Sequence, residues 1–202
     1  RYAPDREQVK VERARILKPD GTIVDAHDER ERAANEAWSG MYFDTRTRLV
    51  GFPGLAPGDV VELVYRVDDV GRDNLLGDYF GDVEFVEDTV PTELWEYVLE
   101  MPAGRPIYFN ELERAAYEQR PVDGGRTLHR WVARDLPRIL PEPDMPGWSE
   151  VAAYLHVSTY RDWDAVGRFW WNLIRDQLRP TPTIDALARE IVADIPASDV
   201  GA

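Results

Sequence analysis

Hydrophobic and polar residues alternate along most of the chain between residues 8 and 132, which predicts β-strands. The segment DVVELVYRV (59–67) shows the pattern well, and so does LWEYVLEM (94–101). In the second segment the side chains that share the apolar face are Trp95, Tyr97, Leu99 and Met101. Several short strands separated by turn residues, with no long helix among them, predict a mainly β fold, specifically an antiparallel β-sandwich.

Turn residues mark where the strands end. Asp20-Gly21 lies between two apolar runs, and because this dipeptide accepts positive φ angles it predicts a tight hairpin. The polar segment 25–40 predicts a loop or a short helix over one edge of the sheet. The segment GFPGLAPG (51–58) could be a glycine-rich ligand loop or a corner leading into a strand. A phosphate loop carries lysine where this chain has Asp59, so the corner is the favoured interpretation.

The pattern changes after Asp135, where a proline-rich stretch predicts an extended connector. Two helices are predicted beyond it, with Asp162 and Thr183 as their N-caps. The first helix has an apolar stripe of Trp163, Val166, Trp170, Leu173 and Ile174, and the second one of Ile184, Leu187, Ile191 and Ile195. We therefore expect a β-sandwich domain at residues 1–142, followed at 143–202 by a connector and a C-terminal helical extension.

Charge and composition exclude several functions. The 202 residues carry a formal charge of -14, and a surface this acidic repels nucleic acid and anionic membranes. The absence of cysteine removes disulfides, thiolate metal sites and a cysteine nucleophile. No apolar run approaches the roughly 20 residues of a membrane helix. The first residues lack the features of a signal peptide and have no initiator Met, so we expect the chain to be a piece of a longer protein.

Candidate catalytic and metal-binding residues are few. The acidic segment 68–88 is either the solvated end of a hairpin or a calcium site, although it lacks the spacing of an EF-hand. The three histidines are far apart in sequence, and no Gly-x-Ser-x-Gly motif exposes a serine. We expect neither a metal site nor a cofactor, and we assign no catalytic residue.

Seven tryptophans offer the other candidate chemistry. Trp95, Trp131, Trp163 and Trp170 fall on periodic apolar faces and are expected in the core. Exposed aromatic side chains on a β-sandwich can instead bind sugar rings, and the candidates for such a site are Trp38, Tyr42 and Trp148.

The order of motifs resembles a bacterial domain of unknown function that precedes transglutaminase-like domains. The resemblance covers nearly the whole chain, from RILKPDGTIVD through FPGLAPGDVVELVYRV, VPTELWEYVLEMPAG and LHRWVARDLPRILPEPDMP to VSTYRDWDAVGRFWWNL. Its most specific parts are the PGL-x-PGD corner and the ST-x(3)-W-x(2)-V helix start. The resemblance implies strands upstream of Arg1 and a catalytic domain carrying Cys, His and Asp beyond Ala202.

This resemblance implies an accessory role for the chain. We expect a non-catalytic β-sandwich that positions or gates a downstream transglutaminase-like domain, in a parent protein that acts as a cysteine-dependent peptidase or acyltransferase. The residues expected to contact that domain are Trp170, Trp171, Ile174, Leu187 and Ile191. The alternative is a module that binds cell-envelope carbohydrate or peptide. The resemblance also implies a periplasmic or extracellular location, and an open sheet edge would allow a homodimer.

Overall fold

A computed structural model describes residues 1–25, 27–34, 44–70, 77 and 79–193. It confirms the predicted fold class, because antiparallel sheets dominate and helices follow at the C-terminal end. The chain divides into two compact units, residues 1–74 and 75–202. No helix in the described part is long and apolar enough to cross a membrane.

Among its described residues, the first unit has five strands. They are β1 (Glu7–Leu17), β2 (Ile23–Val24), β3 (Asp28–Ala33), β4 (Arg46–Gly51) and β5 (Val60–Asp69). One antiparallel sheet has the order β2-β1-β5, and β3 and β4 form a separate antiparallel pair. Ala14 and Ile16 of β1 are buried, whereas the neighbouring positions face outward.

The predicted hairpin and corner are both present. Gly21 has φ +85°, as the turn between β1 and β2 requires, and Thr22 N donates to the Asp20 carboxylate at 2.9 Å. In the corner before β5, the Asp59 carboxylate accepts hydrogen bonds from Lys18 Nζ and Ala56 N, both at 2.7 Å. The contact with Lys18 lowers the pKa of Asp59, since it favours the charged carboxylate. The Asp59 side chain thus stabilises the corner through these two hydrogen bonds.

The segment predicted as a loop or short helix contains the strand β3 instead. Acidic residues of β3 face basic residues of β4, and these pairs contribute to the pairing of the two strands. Arg46 and Arg48 both contact Glu31, and Arg48 also contacts Glu29. Charge alternation therefore marks this strand, and a search for apolar alternation misses it.

The described part of the second unit has six strands. They are β6 (Gly81–Phe85), β7 (Thr92–Pro102), β8 (Tyr108–Phe109), β9 (Ala115–Val122), β10 (Arg126–Leu136) and β11 (Tyr154–Ser158). Two antiparallel sheets result, with the orders β7-β10-β9 and β6-β11-β8.

These two sheets pack against each other through buried apolar residues, and the larger of two clusters includes Trp131. Leu99, Met101 and Trp131 of the first sheet contact Leu155 and Val157 of β11. Between the sheets, the Tyr97 hydroxyl donates to the Asp82 carboxylate at 2.8 Å. The strand β11 lies beyond residue 142, so the sheet packing extends past the predicted domain boundary. A five-residue strand that includes His156 and Ser158 gives little sequence signal of a central strand.

The C-terminal part contains α1 (Trp148–Val151), α2 (Trp163–Ile174) and α3 (Pro182–Val192). Asp162 caps α2 as predicted, because its side chain accepts from Ala165 N at 2.9 Å. The predicted cap of α3 at Thr183 is wrong, since Thr181 accepts from Ile184 N at 3.3 Å. Pro182 occupies the first helical turn, where its missing N–H costs nothing, so α3 begins earlier than expected.

Candidate interaction surface

The helices α2 and α3 each carry an exposed apolar face. The members of these two faces, which we call the helical apolar surface, are Trp163, Trp170, Trp171, Leu173, Ile174, Ile184, Leu187 and Ile191. Asp162 caps the start of α2 and Thr181 caps the start of α3. The apolar residues of each helix recur at helical spacing. Neither helix has a buried residue. Two amphipathic helices therefore present to solvent the faces that such helices normally bury.

The five residues predicted for interdomain contact all lie on this surface. The exposed fraction is 52% for Trp170, 55% for Leu187 and 65% for Ile191. The prediction that Trp163 and Trp170 are core residues is wrong, because Trp163 is 85% exposed. Helical periodicity shows that a face is apolar but does not show what covers it. Within the described part of the chain, nothing buries these side chains.

A cleft of about 350 Å³ lies where β6 begins, β11 ends and α2 starts. Its lining includes His156, Ser158, Arg161, Trp163 and Trp170, together with Tyr79 and Tyr160, whose ring centroids are 4.8 Å apart. Aromatic rings beside polar groups of this kind can bind a sugar or a peptide side chain.

The structure describes only one of the three residues predicted for a sugar site. Trp38 and Tyr42 lie outside the described residues. Trp148 is half-buried at the start of α1, and its ring meets Phe85 edge to face with centroids 6.4 Å apart. Trp148 therefore packs against β6 within the second unit, which leaves only part of its ring accessible to a ligand.

Two of the histidines, His129 and His156, make contacts within the second unit. His129 is buried beside the rings of Tyr117 and Trp131, and its Nδ1 lies 2.8 Å from the Tyr117 hydroxyl. Burial lowers the pKa of His129, because the charged imidazolium is poorly solvated there. His156 is exposed, and its backbone N–H donates to Asn110 Oδ1 at 2.7 Å. Among the described residues, no three His, Asp or Glu side chains are grouped to hold a metal ion.

Sequence reasoning identified the residues of the helical apolar surface but missed the cleft. Tyr79 is more than 70 residues before His156 and Trp163 in sequence, and the pairing of β6 with β11 brings its segment to theirs. No residue spacing in the sequence predicts that these distant segments come together.

Comparison with known proteins gives a family and one similar structure. The model of DUF3857, a domain of unknown function with a solved structure, matches residues 1–139. None of the curated proteins matches the chain. A crystal structure from Parabacteroides distasonis, described as a "putative protease", aligns with a TM-score of 0.73 and 20% sequence identity. The alignment covers 96% of this chain and 38% of that protein. At this identity the likeness shows a shared fold.

Proposed function

We propose, from the premise that the chain belongs to the DUF3857 family, that it is a non-catalytic accessory module of a larger transglutaminase-like protein. Its role is to position or gate the catalytic domain that follows it in the parent polypeptide. The observation that carries the proposal is the helical apolar surface, which has no cover among the described residues. A parent that works on cell-envelope material would place the module in the periplasm or outside the cell.

The size of the helical apolar surface supports this role. A tryptophan side chain buries about 150–250 Å² when it enters an interface. Three tryptophans that are each at least half exposed therefore offer roughly half of the about 600 Å² at which interdomain interfaces begin. The exposed aliphatic side chains of α3 add further apolar area. Since α3 stands at the C-terminal side of the described chain, a downstream domain is the partner that it would meet first.

The test compares the chain alone with its parent protein by hydrogen exchange and by binding. We expect the amides of α2 and α3 to exchange at least tenfold more slowly in the parent, because docking protects both helices. Trp170→Ser should weaken binding of the separately produced downstream domain by about tenfold or more, as expected for a central aromatic anchor. Asn172→Ser, on the opposite side of α2, is the matched control and should bind normally.

Two results would reject the accessory role. One is equal exchange of α2 and α3 in the chain and in the parent. The other is a parent polypeptide that carries no Cys, His and Asp set after residue 202.

The cleft beside β11 favours one alternative function, a module that binds carbohydrate or peptide of the cell envelope. Tyr160 and Trp163 provide rings, while Arg161 and Asp162 provide hydrogen-bonding groups at its rim. Titration with peptidoglycan fragments should then give saturable binding that Trp163→Ala abolishes and Trp148→Ala leaves unchanged. Binding lost in Trp148→Ala instead would move the site to the surface predicted from sequence.

A further inference from the structure

The strand β5 is an apolar strand at the edge of its sheet. Within the described residues it pairs with β1 alone, in the sheet β2-β1-β5. Its apolar side chains are exposed on both faces, at 60% for Val60, 61% for Tyr65 and 48% for Val67. Proline, bulges and charged side chains are the usual devices against pairing at an exposed edge. The ten residues of β5 include no proline, and its charged residues are Glu62, Arg66, Asp68 and Asp69. Only these charges therefore oppose pairing, and a complementary strand can pair them. An edge of this kind is a template for another strand.

The sequence of β5 is complementary to itself when read in the opposite direction. If two copies run antiparallel with Val64 opposite Val64, Glu62 of each copy faces Arg66 of the other. On the second face, Leu63 meets Tyr65 and Val61 meets Val67. Opposite charges and apolar pairs directly across two strands both stabilise the pairing.

Neighbouring registers lack this complementarity. A shift by one step toward the C-terminus places Tyr65 opposite itself and brings Glu62 to Asp68, two like charges. A shift toward the N-terminus places Leu63 opposite itself and leaves Glu62 and Arg66 facing valines. The charge pattern therefore selects the register centred on Val64.

We propose that β5 pairs with β5 of a second copy of this chain, antiparallel and about a two-fold axis through Val64. The two three-stranded sheets then join into one sheet with the order β2-β1-β5-β5-β1-β2. In each copy Arg13 and Arg15 contact Glu62 from the β1 side. Arg66 of the other copy reaches the same carboxylate from the open side, and a carboxylate has acceptor positions for several donors.

A single cysteine tests both the dimer and its register, because the chain has no cysteine of its own. In Val64→Cys the two thiols lie opposite each other across the axis, where Cα atoms are about 4.5–5.5 Å apart. This separation suits a disulfide. We expect mild oxidation of the 202-residue chain to give a covalent dimer on non-reducing electrophoresis.

Val60→Cys is the matched control on the same face of β5. In the proposed register its two copies stand eight residues apart along the strand direction, about 27 Å. They therefore cannot be bridged, although Val60 is more exposed than Val64. Equal crosslinking of the two variants, or none in Val64→Cys, would overturn the proposed pairing.

Analytical ultracentrifugation at physiological salt tests the charge pairing. Arg66→Glu places like charges opposite each other twice and should weaken the dimer by roughly tenfold or more, while Arg66→Lys keeps most of the affinity. Leu187→Ser on α3 should leave it unchanged. A chain that is monomeric up to high micromolar concentration overturns the proposal, and so does a dimer that Leu187→Ser abolishes and Arg66→Glu leaves intact. These outcomes are independent of the accessory role, which concerns α2 and α3.

Discussion

Replacement of Trp131 by alanine should remove the main contact between the two sheets of the second unit. The side chain is 1% exposed and lies within 5.0–5.7 Å, centroid to centroid, of the rings of Tyr97, Phe109 and Tyr117. It also belongs to the cluster that includes Leu155 and Val157 of the facing sheet. Truncation of a buried tryptophan costs about 3–5 kcal/mol, from lost burial and from the cavity that remains. Domains are stable by only about 5–15 kcal/mol, so the variant should be near its threshold for folding.

Urea unfolding followed by far-ultraviolet circular dichroism measures this effect. Tryptophan fluorescence is less suitable, because the substitution removes one of the fluorescent side chains. Val98→Ala is the control, because Val98 lies on the other face of β7 and is 48% exposed. We expect the control to change the free energy of unfolding by about 0.5 kcal/mol or less. A loss below about 1 kcal/mol in Trp131→Ala would refute the reasoning, because the sheets would then be held together by other contacts.

Three further predictions concern single contacts. Hydrogen bonds from Tyr2 and Arg46 lower the pKa of Glu31 from 4.5 to about 2. The stabilising effect of Glu31 is therefore complete above pH 4.5 and is lost as the pH falls toward 2. Acid titration of Glu31→Gln should show a smaller loss of stability in this window than the unchanged chain. Tyr97→Phe removes the donor to Asp82 and should lower the free energy of unfolding in urea by about 1–2 kcal/mol, and an unchanged midpoint would contradict a structural role for this bond. Asp162→Ala removes the cap of α2 and should destabilise this helix by about 1 kcal/mol, measured as faster amide exchange in α2, with Asp164→Ala as the control.

The family match and the packed core of the second unit end at different residues. The DUF3857 match ends at residue 139, yet β11 at Tyr154–Ser158 completes the core of the second unit. The short helix α1 and the segment leading into β11 therefore belong to the packed structure. A chain ended at residue 142 would lack Leu155 and Val157, and the sheet facing Trp131 would lose its central strand.

The strands with apolar alternation were predictable from the sequence. β5 and β7 carry apolar residues at every second position, and β1 does so on each side of the irregularity between Val11 and Arg13. In β10 the buried alternate positions include His129 as well as Trp131 and Ala133. A period of two is typical of a strand. The hairpin at Gly21 was predictable for a similar reason, because its positive φ angle suits glycine. The N-cap Asp162 followed from its position before an apolar helical stripe. In each case the signal and the structure that it predicts lie within one short segment.

The features that sequence reasoning missed depend on a partner segment. β3 has no apolar alternation, and it forms because Glu29 and Glu31 meet arginines of β4. β11 is central because β6 and β8 pair with its two edges from distant positions. The exposure of Trp163 and Trp170 likewise depends on what is absent around α2 within the described residues.

The sequence by itself determined the β character of the chain, its turns and the amphipathic character of its C-terminal helices, since these follow from backbone preferences and local periodicity. Only the tertiary structure decided which apolar faces are buried. Ile16 and Trp131 are covered by other segments, whereas Tyr65 and Trp170 are exposed, although all four belong to periodic apolar patterns. The physical reason is that burial depends on contacts between segments distant in sequence, and periodicity within one segment carries no information about its partner.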